Sequence, residues 1–278
     1  MKDTEFRALI KLLEDDDPGI ESHVREKLIS LGGDGIPRLE EAWEKESDSL
    51  IQGRIEDIIH HIQTQGTLEG LLAWKEVSTA SFLKGWFLVS QYQFPALDFL
   101  DYKNKINRIV HRTWLEIRSG MNLPEKLGVL NRMLYTLEKF KPNRKDVFDP
   151  NNYFLHTLLD TKKGGPISMG LLYLHLCEEL EMPLGGIVLP GYFLVMYQDD
   201  NTEFFIDPFN KGTFYTRKDL DRFLKELKVS DADKEKYMKP SSRSQILAEL
   251  IRSLKVCYEK KEKNEKADKW RRLGEDFR

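Results

Sequence analysis

The segment that spans residues 149–212 constrains the fold of this chain more than any other. Its run P-I-S-M-G-L-L-Y-L-H-L-C begins at Pro166 and is apolar on nearly every side, which predicts a helix over 166–180 that is buried all round. Pro166 suits the first turn of this helix, because its missing N–H would have no helical partner there. Three strands are predicted after the helix, at 186–189, 192–198 and 203–207. The segment therefore predicts a buried helix that is followed by a small antiparallel sheet.

The rest of the chain shows the periodicity of amphipathic helices. Four short helices are predicted within 3–62, further helices over 67–90, 95–119 and 123–141, and a helical tail from about residue 240. The run D-P-G-I-E-S-H-V-R-E-K-L-I-S-L-G-G-D-G-I-P-R-L-E resembles a HEAT-type repeat, a pair of packed helices. We therefore expect an α+β, mostly helical fold with an N-terminal helical-hairpin (HEAT-like) region over 1–120, a core over 121–232 and a helical tail over 233–278.

The charge and hydrophobicity of the chain argue against nucleic acid and membrane as binding partners. The chain has 278 residues, of which 40% are hydrophobic and 32% charged, with a net charge of -3. Such a balance creates no field that would attract nucleic acid or an anionic membrane. No run approaches the roughly 20 apolar residues that a membrane-spanning helix needs. The two cysteines, Cys177 and Cys257, are expected to be free thiols in a reducing compartment, so we predict a cytoplasmic protein that binds neither nucleic acid nor membrane.

Three polar residues mark a candidate site in the central segment: Ser168 at the start of the buried helix, Tyr192 at the start of the second strand and Asp207 at the end of the third. In cysteine-dependent acyl-transfer enzymes a nucleophile at a helix start, a base and an orienting group are arranged in this way. The expected Cys and His are absent. No glycine-rich phosphate loop and no zinc-type Cys/His spacing are present either, so we expect no cofactor and no metal.

The pattern D-P-N-N-Y-F-L, K-G-G-P-I-S-M-G-L-L-Y-L, I-V-L-P-G-Y-F-L-V and F-I-D-P-F-N-K-G resembles the bacterial transglutaminase-like family of the SirB type, described as regulators of SirC expression. The resemblance implies a papain/transglutaminase-like core over residues 121–232 and a tetratricopeptide-like tail. It also implies that Pro166 occupies the position of the catalytic Cys and Tyr192 that of the catalytic His, with Asp207 as the third member.

Alternative roles for these residues remain open in the sequence. Ser168 is either a nucleophile or a cap of the buried helix, and Asp207 is either a retained site residue or an ordinary strand-end Asp before a proline. Asn152 either braces the pocket or caps the next helix. His156, one turn beyond Asn152, is a candidate for the pocket. Pro166 contributes no chemistry, and Tyr192 is a poor base because its reference pKa is near 10.

Two functions from different classes follow. The first is a degenerate transglutaminase-like protein that binds a protein partner and acts as an interaction or regulatory module. The second is a cysteine-independent hydrolase or acyltransferase that acts on amide or ester bonds through Ser168 and Asp207. The absence of a His or Lys at the base position favours the first function.

Overall fold

The structure, a computed structural model, describes residues 1–15, 17–77, 81–226, 228–230 and 234–277, with the backbone alone of Glu235. The chain divides into two compact units. Unit 1 comprises Met1–Ala73 with Gln91–Ala96, and unit 2 comprises Trp74–Ser90 with Leu97–Arg278. The domain limits expected from the sequence stay predictions, since compactness alone does not show which segments fold independently.

Unit 1 is built from amphipathic helices. They are α1 (Asp3–Leu12), α2 (Pro18–Ile29), α3 (Ile36–Lys45) and most of α4 (Ser49–Glu76). Asp17 and Asp48 begin two of them, since each carboxylate accepts a backbone N–H two residues on, at 2.8 Å from Gly19 and 2.7 Å from Leu50. Their apolar faces enclose one core, made of Phe6, Leu9, Leu13, Val24, Leu28, Leu39, Ile51, Ile55, Ile58 and Ile62.

The prediction of a helix over 67–90 is wrong at its N-terminal end. The preceding helix, α4, instead continues through Gly66 to Glu76, and the next helix begins at Phe82. A single glycine costs a helix only about 1 kcal/mol relative to alanine, and buried side chains on either side of it, Ile62 and Leu71, outweigh that cost.

The helices that follow are α5 (Phe82–Gln93), α6 (Phe99–Glu116), α7 (Leu123–Asn131), α8 (Leu155–Thr161), α9 (Pro166–Glu179), α10 (Arg217–Glu226), α11 (Arg243–Lys260) and α12 (Asn264–Asp276). A π-helical stretch, Arg132–Leu137, continues α7. α11 and α12 pack on each other and bury Trp270 and Leu273 of α12. In the described part of the chain, no helix combines the length and the apolar character that crossing a membrane requires.

The central helix α9 is buried along nearly its whole length, as its sequence predicted. It packs on the sheet at a point where two glycines make room for one aromatic ring. A Cβ added to Gly170 would lie 2.1 Å from Cδ1 of Phe193, and one added to Gly186 would lie 2.5 Å from its Cζ. Helix and sheet therefore approach closely because Gly170 and Gly186 leave Phe193 the space between them.

A short parallel pair joins β1 (Lys141–Pro142) to β2 (Lys163–Gly164). The separate antiparallel sheet consists of β3 (Gly185–Leu189), β4 (Tyr192–Gln198), β5 (Glu203–Asp207) and β6 (Thr213–Tyr215), which lie side by side in that order. The three predicted strands are confirmed to within one residue. The short β6 is an addition to the prediction. The expected α+β class is confirmed: a mostly helical chain with a small antiparallel sheet and a helical C-terminal tail.

Candidate functional site

A cleft of about 460 Å³ in unit 2 brings two of the predicted site positions together. Pro166, the first residue of α9, and Tyr192, the first residue of β4, both line it. The other lining residues are Val147, Phe148, Tyr153, Pro190, Gly191, Phe209, Arg252, Ser253, Val256 and Cys257. The walls are therefore mainly apolar and aromatic.

Tyr192 and Asp207 form a direct hydrogen bond at this cleft. The Tyr192 hydroxyl donates to Oδ2 of Asp207 at 2.9 Å, and the Tyr215 hydroxyl donates to the same oxygen at 3.2 Å. The backbone N–H of Asn210 donates to the other oxygen at 3.0 Å. Burial raises the pKa of Tyr192 well above its ordinary value, and the charge of Asp207 and this hydrogen bond raise it further. The phenol is therefore a fixed proton donor and not a base.

Asp207 itself is a buried carboxyl group. Burial raises its pKa, and the hydrogen bonds from Tyr192, Asn210 and Tyr215 lower it, with burial the larger effect. It occupies the position that the sequence predicted for the orienting residue of a triad. With a phenol beside it, Asp207 anchors the sheet end and orients no imidazole.

Ser168 does not reach the cleft. Its side chain is fully buried, its Oγ accepts the backbone N–H of Gly165 at 3.0 Å, and its hydroxyl donates to the carbonyl oxygen of Asn152. Both contacts fix the N-terminal turn of α9 to the preceding segment, as an N-terminal capping residue does. A serine whose proton is donated to a backbone carbonyl is not activated for attack.

Asn152 is buried and joins two segments of the chain through hydrogen bonds. Its Oδ1 accepts from Nδ2 of Asn143 at 2.8 Å, and its Nδ2 donates to the backbone oxygen of Asp146 at 2.8 Å. Its carbonyl oxygen receives the N–H of Gly165 at 3.0 Å as well as the Ser168 hydroxyl. Asn152 thus ties the 143–146 loop to the start of α9.

His156 lies away from the cleft lining. It is half-buried on α8, where its ring stacks on Phe154 at 5.9 Å between centroids and its Nε2 lies 3.2 Å from the hydroxyl of Thr157. Burial lowers the pKa of this imidazole. No contact of His156 joins it to Tyr192 or Asp207 among the contacts that the structure describes.

The contribution of α11 to the cleft was not predicted from the sequence. Cys257 lies in the wall next to Tyr153, and burial raises the pKa of its thiol to about 11, so it is not a thiolate at neutral pH. Arg252 on the same helix donates from Nε to Oε2 of Glu249 at 2.6 Å. The regular apolar face of α11 predicted only packing, and nothing in its spacing linked it to a site more than 40 residues earlier in the chain.

The described residues contain no group of three or more His, Cys, Asp or Glu side chains placed to hold a metal ion.

The segment that contains α9 and the sheet matches a known protein family. A family model described as transglutaminase-like superfamily matches residues 100–252, which include the whole of α9, the sheet and the first half of α11. The chain belongs to the transglutaminase-like superfamily. Pro166 and Tyr192, two of the site positions predicted from the sequence, lie within the matched segment and line the cleft.

Relatives of this transglutaminase-like protein occur in bacteria and mammals. A UPF0162 protein of Xylella fastidiosa (strain Temecula1) is 25% identical over 191 residues, which are 67% of this chain and 68% of that protein. A UPF0162 protein of Vibrio cholerae is 35% identical over 80 residues, 28% of this chain and 30% of its own. F-box only protein 21 of Mus musculus is 28% identical over 200 residues, 60% of this chain and 32% of the mouse protein. No solved structure gives a significant match.

Proposed function

We propose that this chain is a non-catalytic transglutaminase-like protein that acts as a protein-interaction or regulatory module. One observation carries the proposal: the two reactive positions of the cleft hold Pro166 and Tyr192, and the Tyr192 hydroxyl is bound to Asp207. Acyl transfer of the cysteine type needs a nucleophile and a base within hydrogen-bond reach. Proline supplies no nucleophile, and a phenol with a raised pKa supplies no base.

The second candidate function, a hydrolase or acyltransferase that uses Ser168, has less support. Ser168 is buried and donates its proton to the Asn152 carbonyl, so it meets neither a base nor the cleft. The cleft thiol, Cys257, carries a raised pKa. A binding role needs none of these groups, since a preformed, mainly apolar cleft is the usual form of a binding site.

The relatives support a modular role. The region shared with the mouse F-box only protein 21 makes up 32% of that protein, so a related segment is embedded in a longer chain. Helical flanks offer extended surfaces to protein partners. Within this proposal the protein is a cytoplasmic member of the SirB-type group, its N-terminal helices are HEAT-like and its tail is tetratricopeptide-like.

Labelling with a fluorophosphonate probe, which modifies activated serines, tests the absence of catalysis. We expect no label on the folded protein, because the Ser168 hydroxyl is held by the Asn152 carbonyl and is shielded from solvent. The measurement is intact-mass spectrometry of the wild type and of Ser168→Ala after incubation with the probe. Stoichiometric labelling that disappears in Ser168→Ala would show an activated serine and end the non-catalytic proposal.

A further inference from the structure

Two cations lie at the mouth of the cleft, each over an aromatic ring of its wall. The guanidinium carbon of Arg144 is 5.1 Å from the ring centroid of Phe209, and Nζ of Lys260 is 5.9 Å from that of Phe148. Both cations are exposed. The aromatic rings hold them beside the opening through cation–π contact.

Neither cation has a carboxylate partner within the described residues. Arg144 makes one long hydrogen bond, 3.4 Å to Oδ1 of Asn210, which carries no charge. The neighbouring cations differ, because Arg252 is bound to Glu249 and Lys261 to Asp146. The mouth therefore carries two cations that have no ion-pair partner among the described residues.

The rim also exposes apolar surface. Val147 is 46% exposed and Phe148 is 42% exposed, and both line the cleft. Four of the described acidic groups lie near the cleft, and each already accepts a hydrogen bond. Asp207 accepts from two phenols, and Glu249 accepts from Arg252 and, at 3.4 Å, from the N–H of Gly191. Asp146 pairs with Lys261, and Asp149 accepts the N–H of Asn151 at 3.0 Å. An occupant of this cleft thus meets apolar walls and unpaired positive charge together.

From this juxtaposition we infer that the cleft binds an acidic segment of a partner protein, in which an apolar side chain lies next to Asp or Glu; the inference rests on the proposed function. A volume of about 460 Å³ accommodates one large side chain and its neighbours. The apolar side chain packs against Tyr192 and Phe209, and the flanking carboxylates receive charge-assisted hydrogen bonds from Arg144 and Lys260. Opposite charge at the rim also accelerates the encounter with such a segment.

Selection from a phage-displayed library of short random peptides tests the inference. The full chain is immobilised, and enriched sequences are read against a parallel selection on Arg144→Glu/Lys260→Glu. We expect enriched peptides to combine an apolar residue with adjacent Asp or Glu. A synthetic peptide of the enriched sequence should bind at least about tenfold more weakly to the double variant, and more weakly to the wild type as salt rises.

Lys103→Glu/Arg108→Glu, which reverses one Lys and one Arg at exposed positions of α6, is the matched control and should leave the affinity unchanged. Failure to enrich any peptide, or enrichment of neutral or basic sequences, would overturn the acidic occupant but leave a non-catalytic module. Cleavage or covalent transfer of the bound peptide, seen by mass spectrometry, would instead overturn the proposed function itself. An affinity that Arg144→Glu/Lys260→Glu does not change would place the binding site elsewhere and overturn the inference.

Discussion

At the scale of single residues, the proposed function depends on two positions of the cleft, Pro166 and Tyr192. Pro166 is the first residue of α9, where the helix dipole would favour an anionic nucleophile, and Tyr192 lines the same cleft. Asp207 is in place and already accepts a hydrogen bond from residue 192. Under the proposed function, a His at position 192 would therefore find a hydrogen-bond acceptor already in place.

Pro166→Cys/Tyr192→His should therefore create a reactive thiol. The imidazole would be held by Asp207, and both the imidazole and the helix N-terminus would favour the thiolate. We expect the rate of alkylation by iodoacetamide to reach half of its maximum at a pH at least about one unit below the usual cysteine pKa near 8.5. Peptide mass spectrometry over a pH series measures this, because it separates residue 166 from the two native cysteines.

Pro166→Cys with Tyr192 retained is the control, and its thiol should be alkylated only at the higher pH, since the phenol offers no proton acceptor. Equal pH profiles in the single and the double variant would show that positions 166 and 192 do not face each other as a catalytic pair.

At the scale of elements, the contact of α9 with the sheet depends on the absence of a side chain at Gly170. An alanine there would place its Cβ 2.1 Å from the ring of Phe193. Gly170→Ala should lower the free energy of unfolding by about 1–3 kcal/mol, because the overpacking exceeds the helix-propensity gain of about 1 kcal/mol. The protection factors of the α9 amides in hydrogen exchange measure the change, because they report on the unit that contains both Gly170 and Phe193.

Gly128→Ala on α7 is the matched substitution, since nothing lies within 4 Å of its added Cβ. It should raise the stability by up to about 1 kcal/mol through helix propensity alone. If the stability of both variants changed in the same direction, the close contact with Phe193 would not be the reason why position 170 requires glycine.

Elements with an unambiguous local pattern could be predicted from the sequence. The all-apolar run of α9 and the breaks at Pro190-Gly191 and 199–201 determined a helix and three strands almost to the residue. β6 was not predicted, because three residues, Thr213–Tyr215, carry too short an alternation and are held by pairing with β5.

The candidate site was predicted only where its residues are close in sequence. Tyr192 and Asp207 follow from the order of helix and strands, and Pro166 follows from the family resemblance. Arg252 and Cys257, in contrast, enter the cleft on α11 through tertiary packing that local periodicity does not encode. Ser168 shows the reverse: the same helix-start pattern fits a nucleophile and a cap, and only the position of the Asn152 carbonyl favours the cap.

At the scale of the whole molecule, acid stability is linked to a histidine that unit 2 buries. His175 on α9 is 4% exposed, and burial lowers the pKa of its imidazole, as does the charge of Arg243, whereas Glu179, at 4.0 Å, raises it less than burial lowers it. Below pH about 6.5 the unfolded chain takes up a proton that the folded chain does not, so the unfolded state gains stability. The free energy of unfolding should therefore fall as the pH falls from about 6.5 towards the lowered pKa.

His175→Gln should flatten this decline, whose slope for one proton is at most about 1.4 kcal/mol per pH unit. Because the chain contains two compact units, the protection factors of the α9 amides in hydrogen exchange are the measurement that reports on the unit holding His175.

His111→Gln, at an exposed position of α6, should retain the wild-type slope. His156, whose pKa burial also lowers, adds a decline of its own that remains in both variants. If the stability of His175→Gln fell with pH as steeply as that of the wild type, the acid sensitivity would come from other groups. The buried imidazole of His175 would then not be the source of the pH dependence.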